Sequence, residues 1–588
     1  MKRILSVPLL LSFISLALPL LIHLPDYLLN IAILGGIGAL VAMGLVVLTG
    51  VGGMTSFAQA VFVGFGAYTS AWLTTAHGWS PWATLLPALL VTGLGALVVG
   101  AVTVRLSGHF LALGTVAWAI SFYYLFGSVP ELGLHSGISS IPPVSLGTMD
   151  FTQPGKFYLL VWAALLLCTL LTLNLLDSRV GRAVRALRGG ADVARAFGVN
   201  AETAKLGLFV YAALLAGLAG WLLAHFQRSI SPGNFGINAG VEYLLMAVLG
   251  GAGHVYGAIA GAFIVVVLRE QLQVYLPQWL GQTGNFESVV FGAILLMALV
   301  VSREGVWPHI RRIFRAPLPR SIDSELHLPT RDLPVRGTAL LEAMNLYKHF
   351  GGLQAVKNVS FCLQAGEITG LIGPNGAGKS TTFNLLTGML TMSSGKVSLQ
   401  GQVFSTVTPQ VAARLRIGRT FQHVKLVGNM SVLENVAVGA HLRGRQGPLA
   451  AMLGLDRAEE ARLMAHAARQ IERVGLGLCM HHSADSLSLG QSRLVEIARA
   501  LALDPSLLLL DEPAAGLRYQ EKVFLAKLIR ELSAEGRAVL IVEHDMDFVM
   551  NLVHRLIVLD FGTLLTQGPP QEVSRNPVVM QAYLGVSA

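Results

Sequence analysis

The stretch Gly373-Pro374-Asn375-Gly376-Ala377-Gly378-Lys379-Ser380 decides the fold of the second half of this 588-residue chain. It fits the pattern G-x-x-x-x-G-K-[ST], follows an apolar run that ends at Ile372, and precedes a helical pattern from Thr381 onward. Glycines let backbone N–H groups curl around phosphate oxygens, and a helix N-terminus adds a favourable dipole. We therefore predict that these eight residues and Thr381 bind ATP. In this prediction Lys379 neutralises the β- and γ-phosphates and Ser380 offers its hydroxyl to Mg²⁺.

A second apolar run, Leu507 to Leu510, ends in Asp511-Glu512-Pro513. A carboxylate at the end of a strand is often structural. Beside a phosphate-binding loop, however, a buried strand of this kind delivers one carboxylate to Mg²⁺ and the next to the attacking water. We therefore predict that Asp511 is a magnesium ligand and that Glu512 polarises water.

The composition divides the chain into two halves of different character. The chain is 53% apolar and 13% charged, and its mean hydropathy is +0.61. Only 21 of its 75 charged residues precede Val301. This excludes a disordered or coiled-coil protein, and it indicates a membrane half followed by a soluble half.

The net charge of +9 does not predict nucleic-acid binding, because the basic residues cluster at the ends of apolar segments. The cysteines Cys168, Cys362 and Cys479 are far apart, which fits a reduced, cytoplasmic soluble half. Cys479 lies near His481 and His482, but adjacent histidines do not easily converge on one metal, so we expect a surface loop there.

Eight to ten membrane segments are expected in the first half, because each of its apolar runs is long enough, or nearly so, to cross a hydrocarbon core of about 30 Å. The runs lie near residues 1–22, 28–48, 54–76, 82–104, 110–127, 158–176, 206–226, 241–268 and 285–301. Residues 302–336 are rich in proline and charge, so a linker is expected there. The predicted domains are a transmembrane domain over 1–301, this linker, and an α/β domain over 337–588.

The start of the chain, Met1-Lys2-Arg3 and an apolar run to about Ile22, allows two interpretations. A secretory signal peptide would end in a cleavage site of small residues, and the sequence offers none before the next apolar run begins near Leu28. We therefore expect an uncleaved transmembrane helix with its N-terminus in the cytoplasm.

The positions of Lys and Arg also predict how the chain crosses the membrane. The segment from Asp177 to Lys205 carries six basic residues and is expected in the cytoplasm. Three apolar runs follow, yet the chain must return to the cytoplasm, so 241–268 cannot be one simple span. The glycines of Gly250-Gly251-Ala252-Gly253-His254 indicate either a broken helix or close helix packing. We predict a break, with Val241 to Leu249 and Val255 to Leu268 as separate elements.

Charged residues occur within or beside the later apolar runs. Intramembrane charges are commonly functional. These residues lie near predicted helix ends, however, so snorkelling of the side chains toward the membrane surface is the favoured interpretation. They are Glu242, Arg269, Glu270 and Glu287.

The segment Leu487-Ser488-Leu489-Gly490-Gln491 resembles the signature of ABC transporters, usually LSGGQ. Three further landmarks of that family occur in the family's order. They are an aromatic residue that stacks on adenine, a Q-loop glutamine and a switch histidine, matched here by Phe350, Gln422 and His544. The resemblance implies an ABC ATPase over 337–588 in which Gln422, Glu512 and His544 are catalytic. It also implies that Gln422 is a further Mg²⁺ ligand and that Ser488, Gly490 and Gln491 contact ATP.

Closer matches resemble the branched-chain amino acid importers of this family. The ATPase half is similar over Phe350 to Val356, Asp511 to Leu517 and Ala582 to Gly585. The membrane half is similar to their permeases over Gly64 to Tyr68 and Leu249 to Gly253. The resemblance implies ATP-driven import of a branched-chain amino acid or a similar small polar solute. It also implies a second permease, a second ATPase, an extracytoplasmic solute-binding protein and a place in the cytoplasmic (inner) membrane.

The cytoplasmic segment from Ser178 to Lys205 also resembles that of these permeases. Its arginines are spaced by three, so they approximate one face of a helix. We predict a coupling helix that docks on an ATPase, although positive charge is also ordinary for a cytoplasmic loop. The arginines are Arg179, Arg182, Arg185 and Arg188.

Two positions depart from the general ABC pattern. Leu489 replaces a glycine of the signature, a change that we expect to be tolerated. Arg518 occupies a D-loop position that normally meets the partner ATPase, so contact between two ATPases is in doubt there. A half-size exporter and an ATP-gated channel or regulatory protein remain as alternatives. The short, Gly-rich membrane runs argue against the exporter, and intact Glu512 and His544 argue against passive gating.

Overall fold

In the computed structural model, the first part of the chain is a bundle of helices. The structure describes residues 24–106, 108–147, 149–280, 286–301, 304–312 and 322–584. The long helices are α1 (Asp26–Leu45, continued by a π-helical turn over Val46–Val51), α2 (Gln59–His77), α3 (Pro81–Thr103), α4 (His109–Ser128) and α5 (Pro154–Leu176). After the short helices α6 (Arg179–Gly189) and α7 (Ala191–Ala196) come α8 (Ala201–Gln227), α9 (Ile237–Gly250), α10 (Val255–Leu280), α11 (Phe286–Val301) and the short α12 (Trp307–Arg311). A two-stranded hairpin, β1 (Ser145–Leu146) and β2 (Met149–Asp150), lies between α4 and α5.

Six helices in the described ranges are long and apolar enough to cross a membrane, and they correspond to α1, α3, α4, α5, α8 and α10. The predicted polytopic helical domain is confirmed. The first apolar run, up to Ile22, lies outside the described residues.

Glycines let helices of the bundle cross at backbone contact. A β carbon at Gly66 of α2 would lie 2.0 Å from the carbonyl oxygen of Gly217 on α8. Conversely, a β carbon at Gly220 of α8 would lie 1.9 Å from the carbonyl oxygen of Val63 on α2. Small residues at such crossings bring helix backbones together where the surrounding lipid provides little drive for association.

The predicted helix break at Gly250 to Gly253 is confirmed. Helix α9 ends at Gly250, Gly251 adopts a φ of +114°, and α10 begins at Val255. The two helices run antiparallel, because a β carbon at Gly250 would meet Gly257 O at 1.9 Å and one at Gly261 would meet Met246 O at 2.0 Å. The glycines therefore break the helix and also allow close packing. In the described part of the chain, four helices of more than ten residues, α8 to α11, run from Ala201 onward rather than three, so the chain can return to the cytoplasm.

The expected positions of two intramembrane charges are wrong. We expected Arg269 and Glu270 near a helix end at Leu268, but α10 continues to Leu280. The continuation is rich in glutamine and aromatic residues, so its hydropathy falls although the helix persists. Arg269 therefore lies within the helix, where it is paired with Glu242. The side chain of Glu287 lies outside the described side chains.

The second part of the chain contains two sheets. Their strands are β3 (Ala339–Phe350), β4 (Leu353–Gln364), β5 (Ile368–Ile372), β6 (Ser394–Leu399), β7 (Gln402–Phe404), β8 (Ile417–Arg419), β9 (Leu507–Asp511), β10 (Ala538–Val542), β11 (Arg555–Asp560) and β12 (Thr563–Gly568). One sheet has the order β12-β11-β5-β10-β9-β8 and is parallel from β11 to β8. The other is antiparallel, with the order β4-β3-β6-β7.

Helices complete this α/β part, which the sequence predicted. They are α13 (Lys379–Leu386), α14 (Pro409–Arg414), α15 (Val432–Gly439), α16 (Pro448–Met452), α17 (Arg457–Arg473), α18 (Leu489–Ala502), α19 (Tyr519–Ala534), α20 (Met546–Met550), α21 (Pro570–Val573) and α22 (Pro577–Leu584). Apolar residues of α15, α17 and α18 share one core with β9 and β10. Strands β5, β9 and β10 are buried along their whole length, which explains their continuous apolar runs.

The chain divides into two compact units. One contains residues 1–175 and 202–318, and the other contains residues 176–201 and 319–588. Helices α6 and α7 thus belong to the unit of the α/β part. The domain boundaries at 301/302 and 336/337 stay predictions.

Residues 322–336, which we call the linker strap, lie on the α/β part. Arginines bind backbone carbonyl oxygens along the strap: Arg469 donates to Leu326 at 2.7 Å, Arg416 to Asp332 at 2.6 Å, and Arg443 to Pro329. At the end of the strap, Arg336 donates to the carbonyl of Ala534 at 3.1 Å. The strap is therefore held at several points along its length.

Replacing Gly251 with leucine should damage the α9–α10 turn. The variant would hold a branched side chain at a φ of +114°, with its β carbon 3.1 Å from the carbonyl oxygen of Glu304. A strained backbone of this kind costs about 1–3 kcal/mol. We expect Gly251→Leu to lower the thermal stability of the purified chain and to impair solute transport more than ATP binding. Gly253→Ala is the matched control, because no described atom lies within 4 Å of its β-carbon position. Normal transport by Gly251→Leu would contradict this account of the turn.

Candidate functional site

The phosphate-binding loop lies between β5 and α13. Gly373, Gly376 and Gly378 have φ values of +153°, +83° and +93°, so the loop requires glycine in the left-handed region. A β carbon at Gly373 would lie 2.1 Å from Leu559 O, and one at Gly378 would lie 2.5 Å from Ala355 O. The loop backbone at both glycines therefore packs directly on neighbouring backbone, where a side chain would clash.

Lys379 folds over this loop. Its ammonium group donates to the carbonyl oxygens of Gly373 at 2.7 Å and Pro374 at 2.9 Å. Burial lowers the pKa of Lys379. Its predicted partners, the phosphates of ATP, would compensate for that burial. The neighbouring Ser380, also predicted to contact ATP and Mg²⁺, is exposed at the start of α13.

Asp511 ends the buried strand β9 and fits the predicted magnesium site. Its backbone N–H donates to the Thr420 hydroxyl at 3.0 Å. Burial raises the pKa of Asp511, and the charge of Arg419 opposes this shift. Among the residues that the structure describes, Oδ1 of Asp511 has no hydrogen-bond partner although it is buried. A buried, orphaned carboxylate oxygen is a suitable ligand for a hard cation such as Mg²⁺.

The three residues predicted to be catalytic meet at one oxygen atom. Oε1 of Glu512 accepts a hydrogen bond from Nε2 of Gln422 at 3.1 Å and lies 3.1 Å from Nε2 of His544. Glu512 itself has a φ of +47°, which is uncommon for a residue other than glycine. Glu512, Gln422 and His544 follow the adjacent parallel strands β9, β8 and β10, whose carboxyl ends share one edge of the sheet.

The other predicted nucleotide contacts lie at different places. Phe350 ends β3, is 46% exposed, and has the Lys348 ammonium 5.0 Å from its ring centre. Ser488 caps α18 and forms a reciprocal capping box with Gln491. Gly490, in the first turn of α18, lies against α19, since a β carbon there would be 2.9 Å from Oε2 of Glu521.

The two departures from the ABC pattern are accommodated within the chain. Leu489 is 60% exposed and faces Gly516, which has room for it because it lacks a side chain. Arg518 is exposed at the N-terminus of α19, where its backbone N–H donates to Oε2 of Glu521 at 2.7 Å. Both positions keep the local helix starts intact.

Comparison with known families covers both halves of the chain. A model described as branched-chain amino acid transport system, permease component, matches residues 27–299. The ABC transporter model matches residues 356–515, and a model described as branched-chain amino acid ATP-binding cassette transporter matches residues 563–588.

Curated relatives match the second half. LivG of Salmonella typhimurium, named a high-affinity branched-chain amino acid transport ATP-binding protein, is 41% identical over 249 residues, which is 42% of this chain and 98% of LivG. BraF of Pseudomonas aeruginosa, with the same description, is 39% identical over 42% of this chain and 98% of BraF. LptB of Acidithiobacillus ferridurans, from a lipopolysaccharide export system, is 36% identical over 42% of this chain and 97% of LptB.

The chain belongs to the branched-chain amino acid ABC transporter family. Its likeness to LptB shows that the cassette alone does not decide between import and export. The permease model that matches the first half distinguishes the two, and it favours the importer over the exporter. The chain is thus a fused permease and transport ATPase, a multi-pass membrane protein with a cytoplasmic, nucleotide-binding cassette.

Helix α18 of this ABC cassette holds both ends of the Q-loop, a role that the sequence analysis missed. Arg493 donates to the carbonyl of Phe421 at 2.8 Å, and the N–H of Lys425 donates to Oε1 of Glu496 at 3.0 Å. Arg499 donates to the carbonyl of Lys425 at 2.9 Å. The signal in the sequence is a charged row spaced by three within an otherwise apolar helix.

Residues 176–201, which we call the coupling segment, are packed on the cassette. The guanidinium of Arg182 is 2% exposed and forms a bidentate pair with Glu460 of α17, in which Nη2 and Oε2 are 2.9 Å apart. Arg185 pairs with Glu434 of α15 at 2.9 Å. Arg179 donates to two carbonyl groups, those of His441 at 2.8 Å and Gln446 at 2.7 Å. The arginine row is therefore a docking face rather than an ordinary loop charge.

The coupling segment also reaches the Q-loop. A β carbon at Gly189 would lie 2.9 Å from the Val427 side chain, so Gly189 packs directly on the residues after Gln422. The ring of Phe197 lies under Arg499, 5.2 Å from the guanidinium carbon. The predicted docking of a coupling helix on an ATPase is confirmed, and part of the contact lies close to the Q-loop.

The Arg182–Glu460 pair should hold the cassette after the linker is cut. With a protease site placed near Pro319, we expect the cassette of the parent chain to stay on washed membranes. Arg182→Met removes the bidentate partner of the buried Glu460 carboxylate, and breaking a buried ion pair costs about 3–5 kcal/mol, so the cut cassette should be released. The double variant Arg182→Met/Glu460→Met should recover much of the retention.

The control for this experiment is Arg462→Met, an exposed position on the same helix, which should behave as the parent. Complete release of the parent cassette by the cut alone would show that the linker, and not the docking face, holds the two parts together.

Proposed function

We propose that one copy of this chain supplies one permease and one ATPase to an importer of branched-chain amino acids in the cytoplasmic membrane. The observation that carries the proposal is the permease match at residues 27–299 in the same chain as the Gln422–Glu512–His544 cluster. The import activity is that of the family to which the chain belongs.

ATP would bind along the line from Phe350 to the phosphate-binding loop. The exposed ring of Phe350 stacks on adenine. Backbone N–H groups of residues 373–381 hold the phosphates, and the Lys379 ammonium moves from the loop carbonyls to the β- and γ-phosphates.

Mg²⁺, when bound, neutralises the developing charge on the phosphates. Ser380, Gln422 and Asp511 would hold it, and the orphaned Oδ1 of Asp511 supports this. Glu512 orients the attacking water and accepts its proton, while Gln422 and His544 position the Glu512 carboxylate.

A complete ATP site needs a second cassette. In this proposal Ser488, Gly490 and Gln491 contact the ATP held by the phosphate-binding loop of a partner ATPase. The position of these residues at the N-terminus of α18 supports such a role, because a helix N-terminus favours phosphate. The other proposed components are a second permease and an extracytoplasmic solute-binding protein.

Transmission to the permease would pass through α18. Binding of a partner's ATP at Ser488 shifts α18, whose Arg499 contacts both the Q-loop and Phe197 of the coupling segment. The coupling segment is continuous with the membrane helices α5 and α8. Closure of two cassettes would thus reorient the transport path, and hydrolysis would reset it.

Glu512→Gln should abolish steady-state ATP hydrolysis while leaving ATP binding intact. A glutamine keeps the size of the side chain but cannot accept the proton of the attacking water. A positioned base contributes about 10²–10⁴-fold to such reactions, so we expect a loss of at least about 100-fold in kcat for the assembled transporter. Glu531→Gln, exposed on α19, is the matched control and should keep the parent rate. Near-parental hydrolysis by Glu512→Gln would overturn the role given to this carboxylate.

The purified chain without other subunits should show little ATPase stimulation by a solute-binding protein and leucine. The physical reason is that one chain offers one permease surface and one cassette. Stimulation should appear when the second permease and the second ATPase are added. If the chain alone is strongly stimulated, it works as a homodimer.

A further inference from the structure

A cavity of about 470 Å³ lies within the helical unit, between α1, α8, α9 and α10. Polar side chains line it: Asn238, Glu242 and Tyr243 from α9, with Arg269 and Glu270 from α10. Apolar side chains line it too, and they include Ile37 of α1, Met246 of α9 and Val266 of α10, the last two one helical turn from Glu242 and Arg269. The volume is within the range of about 300–1,000 Å³ that is typical of small-molecule sites.

Two opposite charges from different helices meet at the cavity. Nη1 of Arg269 lies 3.1 Å from Oε1 and 2.9 Å from Oε2 of Glu242. The Glu242 side chain is only 19% exposed. Glu270 also lines the cavity, so the lining holds two carboxylates and one guanidinium. The ion pair with Arg269 uses only one of these carboxylates, that of Glu242.

The cavity lies in the extracytoplasmic half of the unit. Helix α8 begins at the cytoplasmic coupling segment, and Gln227, which also lines the cavity, is 26 residues farther on, a rise of roughly 39 Å. The chain then turns back, and Glu242 comes in the second turn of α9. Arg269 is 14 residues after the start of α10, a rise of roughly 21 Å. A solute that arrives from outside would meet this cavity first.

We propose that this cavity binds the zwitterion of an aliphatic α-amino acid. Arg269 pairs with the α-carboxylate and Glu242 with the α-ammonium, while the aliphatic side chain contacts Ile37, Met246 and Val266. The proposal rests on the proposed function and names a solute site within it. A solute carboxylate and ammonium replace the partners that the two residues now offer each other, so both charges stay paired during binding.

The competing explanation is a purely structural ion pair. An ion pair that only holds α9 against α10 needs no cavity and no apolar side chains lining that cavity. The observed combination of a charge pair between two helices, further polar side chains and apolar side chains around one cavity is typical of a site for a small amphiphilic ligand.

Protection of an introduced cysteine tests the site. Asn238→Cys, in a chain whose three cysteines are replaced by serine, is reconstituted with its partner subunits in proteoliposomes. A cationic thiosulfonate reagent then modifies Cys at this exposed position of the cavity wall. We expect saturating leucine to slow the modification at least threefold. Val289→Cys on α11, 71% exposed and outside the cavity lining, is the control and should be unaffected.

Two comparisons identify the charges that bind the solute. 4-Methylpentanoate, which lacks the ammonium of leucine, should need an at least tenfold higher concentration for half-protection. Glu242→Gln should raise the half-protection concentration of leucine at least tenfold. To check that Glu242→Gln is folded, the modification rate of Val289→Cys is measured in the Glu242→Gln background, where it should be unchanged. If Glu242→Gln is not folded, the comparison of leucine with 4-methylpentanoate in the chain with native Glu242 still decides.

The double variant Glu242→Gln/Arg269→Gln separates binding from a structural role. Neutralising both members of a structural pair should restore leucine protection, whereas a binding site should lose it further. Restored protection, equal protection by 4-methylpentanoate, or no protection by leucine would each overturn the proposed site.

Leucine uptake by the parent complex is measured in parallel. Uptake without protection would refute the site and leave the proposed function standing. Protection without uptake would refute the function and leave the site standing.

Discussion

The buried guanidinium of Arg499 contacts three segments: helix α18, the Q-loop and the coupling segment. It is 2% exposed, and it binds Oε1 of Glu496 at 3.1 Å, the carbonyl of Lys425 at 2.9 Å and the ring of Phe197. A charge this deeply buried is tolerated only when its partners surround it. Burial raises the pKa of Glu496, and the charge of Arg499 opposes that shift. Helix α18, the Q-loop and the coupling segment therefore share one buried charge in addition to their other contacts, and separating any of them from it carries a large cost.

The parallel sheet provides the second constraint. Because β5, β10, β9 and β8 are neighbours and run in one direction, the residues that follow them share one edge. Gln422, Glu512 and His544 are far apart in sequence, yet they converge on one oxygen atom at that edge. The Q-loop therefore takes part in two sets of contacts. The side chain of Gln422 reaches the Glu512 carboxylate, and the backbone of the loop is held by α18.

The sequence predicted what depends on local patterns and missed what depends on distant partners. The phosphate-binding loop and the glycine break after α9 follow from residue types at fixed spacing, so both could be predicted. Glu434 and Glu460 could not, because nothing in an amphipathic helix says which distant arginine it will meet. The error at Arg269 has a different cause: hydropathy falls after Leu268, but a helix ends where its hydrogen bonding ends, and α10 continues through Gln271 and Gln273. Burial of the charged row on α18 also depends on tertiary packing.

The linker strap is held largely through its main chain. The arginines that hold it bind carbonyl oxygens, which every amino acid provides, rather than particular side chains. Substitutions at Pro329 or Asp332 can therefore keep these contacts, whereas Ile322 and Leu328 pack on the core and Arg336 donates through its own side chain. An insertion or deletion moves each following carbonyl by roughly 3.3 Å and breaks the register. The strap therefore works as a measured spacer: its length decides whether each carbonyl meets its arginine, and only a few of its side chains add contacts of their own.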